Sequence, residues 1–328
     1  MKVELFGLAL PEVRPGDDLA ALLAESARTS CGGLQAGDVL VVTSKVISKA
    51  KGYLVELARV QPSAAARRLA ARTGLDARFV DVVLRQSQAT LFVVPLAEFM
   101  REGIVEPAQL GSDPQAVARL IERFPYEIFT LRNGDVYSSA GVDASNHPAG
   151  EVSYPPPDPD QAARELAEGV RRMTGLYIPV IVTDTEYTLG LGTQDVARGS
   201  YGIKPAAGKF GAPDRLGKPK FGGADLVTHE LASAAALIMG QTAEGFPAVL
   251  VRGFPYEPFE GGMAGYRPAP EKVRPIVRLT LSHSVRVLGW RWLLGLAAAM
   301  LAGRRSRPRA APYPSGEATG KPSTSSAL

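Results

Sequence analysis

Three apolar runs, far apart in the chain, restrict what it can fold into: "GDVLVVT" (37–43), "LYIPVIVTDT" (176–185) and "FPAVLVRG" (246–253). Runs of Val, Ile and Leu bounded by Gly, Pro or polar residues predict strands, and the second is of the buried type. Between them the spacing turns helical. "PSAAARRLAARTG", "DARFVDVVLRQS", "DPQAVARLIERF" and "GGADLVTHELASAAALIMGQ" each predict a helix closed by Gly or polar residues. A proline-rich loop precedes a further helix in "YPPPDPDQAARELAEGVRRMTG", with Asp158 or Asp160 available to cap it. "MKVELFGLALPEV" and "ATLFVVP" predict two more strands. Asn133-Gly134 between two β-prone runs predicts a hairpin. No internal repeat is present.

The 328 residues suffice for a sizeable core, and 45% apolar with 21% charged residues is the composition of a folded protein. A single cysteine, Cys31, excludes an internal disulfide and points to a reducing, cytoplasmic setting. The net charge of +4 is unevenly placed: from Glu271 onward ten Lys/Arg face two Asp/Glu, so the preceding body sums to −4. A nucleic-acid groove across that body is not expected. The apolar stretch 288–303 is interrupted by Arg291, followed by arginines, and shorter than the ~20 apolar residues of a spanning helix. It predicts either an interfacial helix touching a membrane surface or a helix packed on protein. The pattern divides the chain into a body (1–277), an apolar and basic helix (278–303) and a disordered tail (304–328).

Three groups could carry chemistry. Ser44, Lys45 and Lys49 lie in "TSKVISKAKG", read as a small basic turn after a strand; such a turn can offer N–H groups and charge to phosphates, though no Walker loop is present. Asp143 and Asn146 lie in "SSAGVDASNHPAG", where turn closure and metal ligation are both open readings. Asp184 and Thr185 end a buried strand, where open α/β sheets place ligands. One or two carboxylates with a hydroxyl and phosphate oxygens suit magnesium or manganese at a nucleotide. His147 reads as a solvated loop histidine.

"VVTSKVISKAKG", "SAGVDASN", "PDPDQAA", "VTDT", "HELASAAALIMGQ" and "FPAVLVRG" resemble, in the same order, the coenzyme F420-0:L-glutamate ligase (γ-glutamyl ligase) family over about residues 1–255. The resemblance implies an α+β fold of mixed or antiparallel sheets flanked by helices, assembled as an intertwined homodimer. It implies a ligase using GTP, Mg²⁺ or Mn²⁺ and a monovalent cation such as K⁺ to join L-glutamate or another amino acid to a small carboxylate acceptor of the F420-0 type. By the same resemblance Leu10, Pro11, Glu12, Val13, Ser44, Lys45, Lys49 and Asn146, with Gly240, Gln241, Thr242 and Glu244 of the loop 240–247, match nucleotide-contacting positions. Asp143, Asp184 and Thr185 match metal ligands, so Asp143, Asp184 and Lys49 would carry the catalysis.

The chain departs from that family after "VTDT". The family has Phe-Gly-Arg-Pro-Trp-Arg or close to it, and this chain has Glu186, Tyr187, Thr188, Leu189, Gly190 and Leu191. Two positive charges are lost and one negative charge is gained. Lys51 also replaces a family acid. A non-catalytic or altered-substrate paralogue that uses its basic tail for a membrane or partner is the alternative expectation. A metal-dependent phosphohydrolase ranks last, for want of a clear general base.

Overall fold

The three apolar runs meet side by side in the computed structural model, which describes residues 1–188 and 192–302. In chain order the elements are β1 (Glu4–Leu8), α1 (Leu19–Cys31), β2 (Val39–Thr43), α2 (Ser44–Lys51), β3 (Leu54–Glu56), α3 (Ala64–Thr73), α4 (Ala77–Arg85), β4 (Ala89–Val94), α5 (Leu96–Arg101), α6 (Pro107–Leu110), α7 (Pro114–Arg123), β5 (Glu127–Arg132), β6 (Asp135–Ser138) and β7 (Glu151–Ser153). Then follow α8 (Pro159–Thr174), β8 (Val180–Tyr187), β9 (Thr193–Tyr201), α9 (Val227–Met239), β10 (Ala248–Arg252), α10 (Pro270–Leu288) and α11 (Trp290–Ala302).

The main sheet has the order β1–β10–β2–β8–β9. All its pairs are antiparallel except β2 with β8, which run parallel from Leu40↔Val180 to Thr43↔Thr183. The two-residue period of the strands sorts the apolar runs onto opposite faces. Leu40, Val42, Val180, Val182 and Leu250 join one core with Leu23 of α1 and Leu166 and Val170 of α8. Val39, Val41, Ile181, Val249 and Val251 join another with Leu231 and Ala235 of α9. The sheet is thus covered on both faces, which is why its central strands read as continuous apolar runs. Each fully buried aliphatic side chain of this kind contributes about 1.5–3 kcal/mol. At one corner Arg252 donates to both oxygens of the buried Asp38 at 2.8 Å, tying β10 to the start of β2.

A smaller sheet, β4–β5–β6, and the β3–β7 pair pack with α3 and α4 around Val80, Val83, Ile128 and Val152. The predicted hairpin turn is present: Asn133 and Gly134 have φ of 51° and 76°, as a primed turn requires. Asp158 is the cap of α8, accepting from Gln161 N at 3.0 Å. Asp160 instead accepts from the backbone of Ser200, Met263 and Ala264. The structure is of mixed α+β type, with helices on mixed and antiparallel sheets.

The structure adds elements that the sequence reading did not identify, among them α1 and β9, and changes the type of one that it did. "SKVISKAK" is not a turn but the helix α2, closed by Gly52 in the left-handed conformation. Val46 and Ile47 are buried under it, which supplies the packing that a short, Ser- and Lys-rich segment lacks by propensity.

Residues 206–226 form an exposed hairpin arm, bridged at Ala206↔Leu226 and Pro213↔Pro219. A first compact unit runs to Ile276 and a second begins at Val277. The described part of the second unit is the remainder of α10 and α11. None of the described helices is long and apolar enough to cross a membrane. The 304–328 segment, expected to be disordered, and Leu189, Gly190 and Leu191 lie outside the described residues.

Candidate functional site

The parallel pairing of β2 and β8 sets the carboxyl end of β2 beside Asp184 and Thr185, where β8 runs on past β2 and stays paired with β9. Past Thr43 the chain enters α2, whose Lys45 and Lys49 stand one turn apart on one face. Lys45 Nζ reaches Asp143 Oδ2 at 2.8 Å and Ser145 Oγ at 2.5 Å. Lys49 Nζ reaches Glu12 Oε1 and the Asn146 carbonyl, each at 2.6 Å. Two ammonium groups therefore tie the 138–146 turn and the loop after β1 to one spot.

That turn is itself strained. Ser139, Ala140 and Gly141 have φ of 42°, 54° and 73°, three consecutive left-handed residues of which only the last is glycine. Such strain persists where surrounding structure enforces it, and it clusters at functional sites. Gly141 is required here: a Cβ would meet Pro155 Cγ at 2.6 Å and Asp184 Oδ2 at 3.3 Å. The turn brings Asp143 near Asp184, which lies inside β8 and not at its end as the sequence reading expected, because β9 continues the pairing to Tyr187.

The two carboxylates differ. Burial pushes Asp143 up, but Lys45 and the Ser145 hydrogen bond outweigh it, holding the group below the usual carboxylate range. Burial pushes Asp184 up to about 6; Arg198 opposes this, while the neighbouring Asp143 charge adds to it. Asp184 Oδ1 accepts from Thr185 N at 3.0 Å, whereas Oδ2 is buried with no partner. An orphaned buried carboxylate oxygen beside a second carboxylate is the arrangement a divalent cation satisfies. Among the described residues no cluster of three or more His, Cys, Asp or Glu forms a ready-made cage. Two carboxylates with Thr185, phosphate oxygens and water therefore fit magnesium or manganese, which keep several non-protein ligands. Thr185 Oγ1 donates to Asp195 Oδ1 at 2.7 Å, and Gln241 Nε2 donates to the same oxygen at 3.2 Å.

The loop after α9 closes the opposite wall. Gly240 has φ 65°, and Glu244 folds back on Thr242, whose N and Oγ1 donate to its carboxylate at 2.8 and 3.0 Å. Together these segments enclose a cleft of about 970 Å³. Leu10, Pro11, Glu12, Val13, Lys45, Lys49, Asp143, Asn146, Asp184, Thr185, Gly240, Gln241, Thr242 and Glu244 all line it. Ser44 does not; it is 5% exposed, and its hydroxyl works against the upward push that burial gives Asp184.

Among the cleft residues are carboxylates that the sequence reading did not single out. Glu127, at the start of β5, accepts from Ser139 Oγ at 2.7 Å, with Tyr187 and Asp195 further along the lining. Burial pushes Glu127 up to about 7, against the Ser139 hydrogen bond and with help from Glu186. Its position, a charge at a strand start, carried no signal. Asp195 could have been suspected from its place opposite Thr185 in a hairpin. His147 is not solvated: its side chain is buried, its Nε2 pairs with Ser153 Oγ at 2.9 Å, and burial and Lys49 lower its pKa.

The residues after "VTDT", where the sequence reading expected lost positive charge, are tied into the protein. Both Glu186 oxygens accept from Ser138 N, at 3.0 and 2.9 Å, and Oε2 pairs with Arg198 at 2.5 Å. Arg198 is 2% exposed, stacks on Tyr137 with its guanidinium 3.6 Å from the ring centroid, and also pairs with Asp135. The added negative charge is neutralised inside the protein.

The sequence model described as F420-0:Gamma-glutamyl ligase matches residues 7–253. A protein named coenzyme F420:L-glutamate ligase from Methanopyrus kandleri is 38% identical over 270 residues, covering 81% of this chain and 90% of that protein. Proteins of the same name from Archaeoglobus fulgidus and Methanothermobacter thermautotrophicus are 34% and 30% identical, covering 77% and 85% of this chain and 88% and 96% of theirs.

Proposed function

Because the chain belongs to the F420-0:gamma-glutamyl ligase family, a family of ligases, we propose that it uses GTP and Mg²⁺ or Mn²⁺ to join an amino acid to a small carboxylate acceptor. The proposed acceptor is of the F420-0 type and the amino acid is L-glutamate, as the names of the relatives suggest. The observation that carries the proposal is the convergence of Lys45 and Lys49 with Asp143 and Asp184, the latter with an unpartnered buried oxygen.

In this reading the acceptor carboxylate attacks the γ-phosphorus of GTP, giving an acyl phosphate and GDP. The amine of glutamate then attacks the acyl carbon, forming the amide and releasing phosphate. Asp143, Asp184 and Thr185 would hold the divalent cation, which would neutralise charge on the phosphoryl oxygens. Lys45 and Lys49 would turn from Asp143 and Glu12 towards the phosphates, and the 240–247 loop with Leu10, Pro11, Glu12, Val13 and Asn146 would hold the nucleotide. Positioning and electrostatics supply the rate, so no cysteine or histidine nucleophile is required. A monovalent cation such as K⁺ is proposed alongside.

The proposed assembly is a homodimer with exchanged elements. Phe210, Leu216 and Phe221 on the hairpin arm are 56%, 83% and 91% exposed, and Leu91, Phe92 and Val93 are exposed on the edge strand β4. Apolar surface on an arm and at a sheet edge supports covering by a second copy. A cytoplasmic location, with peripheral membrane contact through the basic C-terminal segment, completes the proposal.

Calorimetric titration of GTP with Mn²⁺ into the protein tests it, with Asp143→Ala and Asp184→Ala as controls. Metal-dependent binding lost in both, followed by GDP release on adding F420-0 and glutamate, is expected. No binding in the folded wild type would favour a non-catalytic paralogue. Binding without turnover on F420-0 would favour an altered acceptor, consistent with the Glu186–Arg198 replacement.

A further inference from the structure

An amino acid reaches a ligase with its amine protonated, and an ammonium has no lone pair with which to attack an acyl phosphate. Something in the cleft must take that proton. Most carboxylates there are committed. Asp143 would be taken up with Asp184 by the cation, and Glu12 is a largely exposed carboxylate on the loop after β1, among the residues proposed to hold the nucleotide. Asp195 accepts from Thr185 and Gln241, and Glu244 from Thr242. Asp184 belongs to the cation site. His147 is turned into the protein on Ser153 and Glu151.

Glu127 is different. It lines the cleft, makes no ion pair among the described residues, and has the neutral Ser139 hydroxyl as its side-chain partner. Ser139 sits in the left-handed turn that also seats Gly141 against Asp184. The same strained turn therefore holds Glu127 through Ser139 and packs on Asp184 through Gly141, and both carboxyls line one cleft. A cleft-facing carboxylate that no cation neutralises attracts an ammonium and can accept its proton.

We propose that Glu127, oriented by Ser139, binds the ammonium of the incoming amino acid and acts as the general base for its attack on the acyl phosphate. This deepens the ligase reading and rests on it. One ammonium proton moves to the Glu127 carboxylate, the freed lone pair forms the amide bond as the C–O bond to phosphate breaks, and the second proton shed by the nitrogen leaves on the phosphate as hydrogen phosphate. Groups acting on Glu127 are few. Glu186 and Tyr187 face it from β8, with Glu186 neutralised by Arg198; β4 opposite places Val94, and Phe79 of α4 is neutral. A carboxyl raised to about 7 by burial suits the role, because a base poised near the working pH transfers protons best.

The test compares two nucleophiles in the full-length protein, with GTP, Mn²⁺ and F420-0. Glutamate needs deprotonation; hydroxylamine is unprotonated at neutral pH and captures the acyl phosphate as a hydroxamate. With glutamate, Glu127→Gln is expected to lower kcat by about 100-fold and to remove the acidic limb of the pH profile, while hydroxamate formation changes by less than about threefold. Ser139→Ala, which removes the hydroxyl donor, should move that limb to higher pH. Equal losses with both nucleophiles, or no loss with glutamate, overturn the assignment of Glu127 while the ligase reading stands. A wild type that forms neither glutamyl product nor hydroxamate overturns the ligase reading, and this assignment with it.

Discussion

Glu186 and Arg198 form an ion pair across the β8–β9 hairpin, beneath the cleft that holds Asp184. Without Arg198 the largely buried Glu186 charge would face the Glu127 carboxyl uncompensated. Removing one member of a buried pair costs about 3–5 kcal/mol, because the remaining charge stays uncompensated. Arg198→Met should lower stability in urea by that order. Glu186→Gln combined with Arg198→Met should cost less than the sum of the two single changes, and additivity would show that the pair is not coupled.

Glu127 sets a second expectation, with a definite sign. Its folded pKa of about 7 lies above the ordinary 4.5, so the folded state binds the proton more tightly than the unfolded state does. Stability associated with this group is complete below the unfolded pKa and declines as pH rises towards 7. Glu127→Gln should therefore be more stable than wild type near pH 8, by at most about 3 kcal/mol, and equal to it near pH 4. Thermal melts across that range decide it; a constant difference would mean that Glu127 titrates normally.

Gly141 carries a third. Its φ of 73° and the 2.6 Å approach to Pro155 leave no room for a methyl group. Gly141→Ala should destabilise the fold by about 1–3 kcal/mol and weaken Mn²⁺-dependent nucleotide binding, through displacement of the Asp143 turn. Unchanged affinity in calorimetry would separate the turn from the cation site.

The hairpin arm supplies a fourth. Phe210 and Phe221 lie 5.9 Å apart, with Leu216 between them in the arm. Leu216→Glu with Phe221→Glu should convert a dimer to a monomer in light scattering. A wild type that is already monomeric would refute the assembly.

The C-terminal segment gives a fifth. Val287, Leu288, Trp290, Leu293 and Leu294 are exposed beside Arg286 and Arg291. Each arginine near an anionic surface contributes about 1 kcal/mol, so salt-sensitive sedimentation with acidic vesicles is expected. Equal sedimentation without residues 286–328 would remove the membrane from the account.

Much of this was legible in the chain because it is local. The Asn133-Gly134 turn, the buried β8 and the Asp158 cap follow from short-range rules. The polar residues that line the cleft could be named because motif order carried them. α2 was misread because eight residues rich in Ser and Lys resemble a turn until Val46 and Ile47 find a core. Arg198 and Glu127 were missed for a different reason. Their partners Glu186 and Ser139 are set by strand pairing and by a left-handed turn, neither of which a charge pattern reveals. His147 reads as polar and exposed until Ser153 and Glu151 are seen around it.

The parallel ladder between β2 and β8 has one more consequence. Thr43 sits opposite Thr183, so the lysines of α2 and the carboxylate of Asp184 are indexed to each other by backbone hydrogen bonds alone. A slip of one residue would turn every side chain of β8 to the other face. Glu127, Ser139 and Glu186 lie outside that ladder. The hairpins can thus change without disturbing that register, much as a tool keeps its handle while the bit is changed.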